Sequence, residues 1–261
     1  MHACLYHPDQ IDASSALLVD HPSIDDPAAC HGAIIRCDEG EDDAMLARVE
    51  SFCRERGRCP AVMIDPGTCP VDLTERLRGR GWRRSFGYRW LYGNLDPHEA
   101  SAPRGDESVV IAEIESRHDL ESFLELYRAG FSLSTTGSRQ LVAEGWMAAV
   151  RQSVGRRCAG VTVRHLVARA RRGGATEEAL GIASIIVTDD GEAGLFNLAV
   201  GPEYRGRGVG RRLTDYRLAL ARSLGSELVF LQTEDDAVHR WQRAAGFVEA
   251  FVTTAWVANT R

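Results

Sequence analysis

The chain has 261 residues, of which 44% are hydrophobic and 26% are charged, and its formal net charge is -6. These values predict a soluble globular protein with one large or two modest domains. The acidic balance argues against general nucleic-acid binding, which usually requires a basic face. No apolar run approaches the roughly 20 residues that span a bilayer, and the first residues lack the pattern of a secretory signal. We therefore expect a cytoplasmic location, with no membrane partner and no nucleic-acid partner.

Cysteine usage predicts reduced thiols rather than a disulfide framework or a zinc ribbon. The chain has seven cysteines, an odd number, and no two of them are spaced as Cys-x-x-Cys. Cys4 with His7, and the neighbouring Cys30 and His31, are the alternatives as metal ligands. Reduced, mostly buried thiols are the stronger prediction, so we expect no metal.

The first part of the chain is predicted to alternate strands and helices. Residues 1–30 give a poor signal for a short helix or strand, around Ile11 and Leu17. The apolar pattern after them predicts strands at 31–37, 61–65 and 86–95, and helices at 45–57 and 70–79. Residues 93–107 hold Pro, Gly, Ser and charges without periodicity. We expect a linker at 98–107 between domains at 1–97 and 108–261.

The second part is predicted to contain more strands. The apolar pattern indicates strands at 109–114, 163–170, 179–187, 195–200, 228–231 and 247–257. Helices are predicted at 120–129, 141–154, 209–224 and 235–245. A polar loop is expected at 131–139, and turns are expected at 171–176 and 189–191.

The stretch that carries chemistry is the basic, glycine-rich turn between the strand at 195–200 and the helix that follows. Its sequence from Arg205 is Arg-Gly-Arg-Gly-Val-Gly. Three glycines at a helix start leave the first N–H groups without a partner and without covering side chains. With the positive end of the helix, these donors form an anion site, most simply for a pyrophosphate. Arginines on both sides of the turn add positive charge to an acidic chain.

The turn matches neither G-x-G-x-x-G nor the P-loop pattern. It does match Arg-x-x-Gly-x-Gly, with Arg205, Gly208 and Gly210 after an apolar strand. In this it resembles the GCN5-related N-acetyltransferase (GNAT) superfamily, as does the order of elements from residue 109 onward. The resemblance implies an α/β (α+β) fold, with a mixed central sheet flanked by helices. It also implies an N-acetyltransferase that uses acetyl-CoA as co-substrate.

A second pattern suggests a duplication. The pair Gly81-Trp82 corresponds to Gly246-Phe247, an offset of 165 residues (246 minus 81), and the same offset aligns four elements. The glycine-arginine turn then corresponds to residues 40–45, which are acidic. Carboxylates at that helix start would repel a pyrophosphate. We therefore expect the N-terminal half to be a smaller, partial and degenerate GNAT-like domain that binds no coenzyme A.

The resemblance assigns the coenzyme A contacts to one continuous region. In that fold the central strand splays from the next strand, and the pantetheine arm pairs with the exposed backbone. The implied contacts are Leu198, Ala199, Val200, Arg205, Gly206, Arg207, Gly208, Val209, Gly210 and Arg211. The thioester would lie near Asn197 and Thr233.

The catalytic residues are not assigned by the sequence. The tyrosine that is often the acid in this family is replaced by Gln242, which cannot donate a proton to the thiolate. Glu192, Glu234 and His165 are candidates for the base, and none is preferred.

The acceptor is predicted only by class, as a primary amine of a small molecule, an amino acid or a peptide. It should bind between the first two helices of the second domain, with 132–139 as a lip and Trp146 behind it. A non-catalytic acyl-CoA-binding sensor or scaffold is the alternative function, and a protein that uses longer acyl chains is a third. A homodimer is one option for the oligomeric state.

Overall fold

The computed structural model describes residues 9–13, 16–20, 31–35, 42–65, 67, 72–96, 108–131, 138–154, 157–158, 160–171 and 178–259. Within these ranges the helices are α1 (Asp42–Glu55), α2 (Leu73–Gly79), α3 (Arg117–Gly130), α4 (Ser138–Ser153), α5 (Val209–Ser223) and α6 (Asp236–Ala244). The first six strands are β1 (Asp9–Ala13), β2 (Ala16–Asp20), β3 (His31–Ile35), β4 (Ala61–Ile64), β5 (Trp82–Asn94) and β6 (Val109–Glu113). The other six are β7 (Arg157–Cys158), β8 (Val161–Ala170), β9 (Ala179–Thr188), β10 (Glu192–Val200), β11 (Leu228–Thr233) and β12 (Val248–Ala258).

The chain divides into two compact units. The central unit comprises Tyr92–Leu231, and the two-segment unit combines His2–Leu91 with Gln232–Arg261. These units are defined by contacts, and one of them is discontinuous in sequence. The domains predicted at 1–97 and 108–261 are continuous in sequence, and their boundaries stay a prediction.

The central unit is built on a mixed sheet in the order β11-β10-β9-β8-β6, with β7 paired to β8. Its neighbouring strands are antiparallel except β10 and β11, which are parallel. Helices α3 and α5 pack on β9 and β10. Because α5 places Val209 and Leu213 against the sheet at helical spacing, these side chains join a buried core with Leu166 and Ala183.

The two-segment unit has the strand order β1-β2-β3-β4-β12-β5. Strands β3 and β4 are parallel, whereas β4 and β12 are antiparallel, with Val257 opposite Ala61. The core joins residues of α1, β4 and α2 to Trp82 and Trp256. The last strand of the chain therefore completes a core that begins with N-terminal residues.

The two halves share an order of elements, as the offset predicts. The series β3-α1-β4-α2-β5 has its counterpart in β10-α5-β11-α6-β12. In each series the first strand pairs antiparallel with the strand before it and parallel with the next strand. This agreement supports a duplication, and the degenerate character of the N-terminal half stays a prediction.

Most predicted elements agree in type with the structure, and the differences lie at their ends. The poor signal near the N-terminus corresponds to strands β1 and β2. Strand β5 begins at Trp82 rather than at Phe86, because buried Trp82 anchors a polar stretch that has no apolar alternation. The linker at 98–107 and most of the loop at 131–139 lie outside the described residues. No helix in the described ranges has the length and apolar character needed to cross a membrane.

Candidate functional site

The glycine-rich turn has the backbone that its sequence predicts. After β10 the chain makes a short 3-10 turn, Pro202–Tyr204, and then enters α5. Gly206 has a φ of 74° and Gly208 has a φ of 80°. Residues with a Cβ rarely adopt these values, so the turn depends on glycine at both positions. Gly208 occupies the N-cap of α5, where no side chain caps the helix.

The amides of this turn are open to a ligand. None of the hydrogen bonds formed among the described residues uses the N–H groups of residues 206–211. A Cβ placed on Gly206 or Gly208 would meet no described atom within 4 Å. Donors without partners among the described residues at a helix N-terminus, beside two glycines without covering side chains, can form an anion site.

The arginines around the turn lie at the protein surface. Arg205 Nε donates to the Val200 carbonyl oxygen at 3.3 Å, and the Arg207 guanidinium lies 5.7 Å from the centroid of the Tyr204 ring. Arg211 forms a long ion pair with Asp215, at 3.9 Å. Contacts of this length leave the positive charge of the three side chains available to an anion.

The strand before the turn departs from its parallel neighbour. Pairing between β10 and β11 runs from Glu192 opposite Leu228 to Leu195 opposite Leu231, and it stops there. Strand β10 continues to Val200, paired on its other side with β9. Leu198, Ala199 and Val200 therefore follow the end of the parallel pairing, where an extended ligand can add as a strand.

The comparisons with known proteins agree with this geometry. Residues 120–247 match the family model described as the acetyltransferase (GNAT) family. The chain carries a GNAT acetyltransferase domain. The match includes most of α3, strand β10 and the glycine-rich turn.

Solved structures show the same fold over nearly the whole chain. A GCN5-related N-acetyltransferase from Kribbella flavida is 14% identical, with a TM-score of 0.70, and the match covers 99% of this chain and 92% of that one. A GCN5-related N-acetyltransferase from Sphaerobacter thermophilus is 15% identical, with a TM-score of 0.65 and coverages of 95% and 81%. A tandem GNAT protein from the clavulanic acid biosynthesis pathway is 16% identical, with a TM-score of 0.62 and coverages of 97% and 84%. No curated protein matches the chain. The fold prediction, a mixed sheet flanked by helices, is confirmed.

Next to β10, the GNAT domain contains a buried polar cluster that was not predicted from the sequence. Its buried members are Ser153, His165, Ser184, Thr214 and Arg217, and half-buried Asn197 bonds to Ser184. Arg217 was detectable, because it lies four residues from both Leu213 and Ala221 on the buried stripe of α5. An arginine at a core position of an amphipathic helix indicates that its guanidinium has hydrogen-bond partners inside the protein.

The three candidates for the base occupy different environments. Glu192 and Glu234 are exposed. His165 is 3% exposed, and burial lowers its pKa from 6.5 to about 4. Its ring packs edge-on against Phe123 and is held between two serine hydroxyls. His165 is therefore a structural residue of the core and a weak base.

The residues predicted on the last helix belong to the two-segment unit. Gln242 is 2% exposed, and its Oε1 has no hydrogen-bond partner among the described residues. Asp235 caps α6, and hydrogen bonds from the backbone N–H groups of Val238 and Ala237 lower its pKa. Thr233 lies in the same unit, so its place beside the thioester stays a prediction.

The predicted acceptor lip is only partly described. Residues 132–137 lie outside the described ranges, and Trp146 is half-buried on α4. The described ranges contain no group of three or more His, Cys, Asp or Glu residues arranged to hold a metal ion.

Acidification is expected to destabilise the protein through His165. The unfolded chain binds a proton at this histidine near pH 6.5, whereas the folded chain binds it near pH 4. Between these values the unfolded state holds more protons, so the free energy of unfolding falls as the pH falls. The stabilisation is fully present above pH 6.5, and about 3 kcal/mol of it is lost by pH 4.

Urea unfolding of the unaltered protein and of the His165→Gln variant, at several pH values between 7 and 4, measures the contribution of His165 to the free energy of unfolding. The variant should show a flatter dependence on pH across that window. Equal slopes in the two proteins would contradict the assignment.

Proposed function

We propose that the protein transfers the acetyl group of acetyl-CoA to a primary amine of a small molecule, an amino acid or a peptide. The observation that carries the proposal is that two possible ligand contacts follow each other directly along the chain. The end of β10, where parallel pairing has stopped, leads within a few residues into the open amides of the turn. An extended arm that ends in a pyrophosphate fits this sequence of features.

Each part of coenzyme A has proposed partners. The pantetheine arm pairs with the backbone of Leu198, Ala199 and Val200. The pyrophosphate accepts hydrogen bonds from the amides between Arg205 and Gly210. Arg211 lies in the first turn of α5, where its guanidinium adds charge beside the phosphates.

The proposed reaction is a direct acyl transfer. The neutral amine attacks the thioester carbonyl carbon, and the new C–N bond forms as the carbon–sulfur bond breaks. The amine loses a proton to a base or to water, and coenzyme A leaves as a thiolate. Backbone N–H groups of β10 are the proposed stabilisers of the oxyanion. The thiol has a pKa near the cysteine value of about 8.5, so it leaves readily without a strong acid.

A non-catalytic acyl-CoA sensor or scaffold is the second candidate. Gln242 favours it, because an amide at the position of the family's tyrosine cannot reprotonate the thiolate. In that case the turn would bind acyl-CoA, and no transfer would follow.

The proposal also includes the division of the chain into domains. We propose an acetyltransferase domain at 108–261 and, after a duplication, a degenerate partner at 1–97, joined by a linker at 98–107. The acidic start of α1, which includes exposed Asp43, disfavours a phosphate there. We propose a cytoplasmic location, an amine acceptor as partner, no nucleic-acid or membrane partner, and a homodimer as the assembly to test.

Calorimetry with coenzyme A and acetyl-CoA, followed by thiol release with a panel of amines, tests the proposal. We expect saturable binding of both carriers, with thiol release that depends on one class of amine. The reaction without amine is the control for hydrolysis. Binding without transfer to any amine would favour the sensor, and absence of binding would remove both candidates.

A further inference from the structure

The buried cluster behind β10 forms a hydrogen-bond chain with a fixed direction. Ser153 Oγ donates to the Val150 carbonyl oxygen at 2.8 Å and lies 2.8 Å from His165 Nε2. A hydroxyl has one proton, so Ser153 must accept from His165 Nε2–H. The neutral imidazole then has an acceptor at Nδ1, which takes the hydroxyl proton of Ser184 at 2.7 Å.

The chain ends on the strand that leaves the parallel pairing. Because the Ser184 proton is directed at His165, its oxygen accepts from Asn197 Nδ2, at 3.1 Å. Asn197 has a φ of 54°, a left-handed value, and it lies where the register between β10 and β9 shifts. This register shift is a bulge in β10. Hydrogen bonds through Ser184 on β9 and His165 on β8 connect the bulge to Ser153 at the end of α4.

Arg217 holds the same bulge from the helix side. Its Nη1 donates to the carbonyl oxygens of Phe196, at 3.2 Å, and Ser184, at 3.3 Å. Its Nε donates to the Leu213 carbonyl oxygen, and its Nη2 donates to Thr214 Oγ1. The side chain is 1% exposed, and burial lowers its pKa to about 9, so it stays charged at neutral pH. A buried cation attached to strand carbonyls fixes their geometry strongly.

We propose that Asn197 and Arg217 are positioning residues for acyl-CoA, which fix the bulge in β10 and so align the backbone of Leu198 to Val200 with the carrier. The inference rests on the proposed function. Asparagine is suited to this position for two reasons. It tolerates the left-handed backbone, and its amide donates to Ser184, which glycine cannot do.

Two variants at Asn197 distinguish the effect of its left-handed backbone conformation from the effect of its side-chain hydrogen bond. Asn197→Gly keeps the left-handed conformation and loses the donor, whereas Asn197→Ala loses the donor and strains the backbone. We expect both variants to raise the Kd for acetyl-CoA about tenfold, because the backbone of β10 loses the hydrogen bond that aligns it with the carrier. Both variants should lower Tm, and Asn197→Ala should lower it more, because it adds backbone strain.

A double-mutant cycle with Ser184→Ala tests the connection. If Asn197 acts through its hydrogen bond to Ser184, Asn197→Gly combined with Ser184→Ala should weaken binding no more than Ser184→Ala alone, which also removes the donor to His165 Nδ1. Ile185→Val is the matched control, because Ile185 is the buried neighbour of Ser184 in β9. It should lower Tm and leave the Kd unchanged.

The outcomes separate this inference from the proposed function. If the unaltered protein binds acetyl-CoA and Asn197→Gly binds it within twofold of that affinity, the positioning role is wrong and the function stands. Additive effects in the cycle would also overturn it. If the unaltered protein does not bind acetyl-CoA, the proposed function fails in that measurement alone.

Discussion

Replacement of Gly208 by valine is expected to lower the affinity for coenzyme A at least 100-fold, which corresponds to roughly 3 kcal/mol. Two effects combine at this position. A β-branched residue at a φ of 80° is strained, so the turn should shift and displace its amides. The side chain would also enter the open space beside Gly208, where we propose that the pyrophosphate lies.

A matched control exists at the other end of the same helix. Gly225 has a φ of 82°, and a Cβ there also meets no described atom within 4 Å. Gly225→Val should therefore carry a similar backbone strain and a similar loss of Tm. Its affinity for coenzyme A should stay unchanged, because it lies beyond the C-terminus of α5.

Calorimetric titration of both variants with coenzyme A distinguishes strain from obstruction. A large loss in Gly208→Val alone supports a carrier at the turn. An unchanged affinity in Gly208→Val would place the phosphates elsewhere. An equal loss in both variants would show that strain at α5 acts at a distance, and it would leave the turn without a direct role.

The turn could be predicted because its signal is local. Gly206, Gly208 and the arginine between them are adjacent in sequence, and the left-handed conformations follow from glycine. Helix α5 could be predicted for the same reason, since Val209 and Leu213 are apolar residues at helical spacing, and both are buried. The end of the parallel pairing came from the family resemblance and not from the residues.

The polar cluster was not predicted, because its members come from five elements. Ser153, Ser184 and Asn197 are ordinary polar residues in sequence, and their partners depend on strand register and helix packing. The pairing of β12 with β4 was not predicted for a related reason. The largely apolar sequence of β12 predicts a strand with buried residues, but it does not identify the neighbouring strand.

Truncation of Trp256 to alanine is expected to destabilise the protein by about 3–5 kcal/mol, the range for removal of a large buried aromatic side chain. Trp256 is 3% exposed, and its core neighbours include Leu46, Val62 and Trp82. Such a loss is a large share of a typical domain's stability of about 5–15 kcal/mol. Val248→Ala is the control on the same strand, because Val248 is 44% exposed and should change stability by less than about 0.5 kcal/mol.

Hydrogen exchange shows where the destabilisation acts, which urea unfolding alone cannot do. Strand β12 pairs with β4, and Trp256 stands opposite Val62. Trp256→Ala should therefore raise deuterium uptake at residues 61–64, far away in sequence, as well as in β12 itself. An increase confined to residues 236–258 would contradict the pairing.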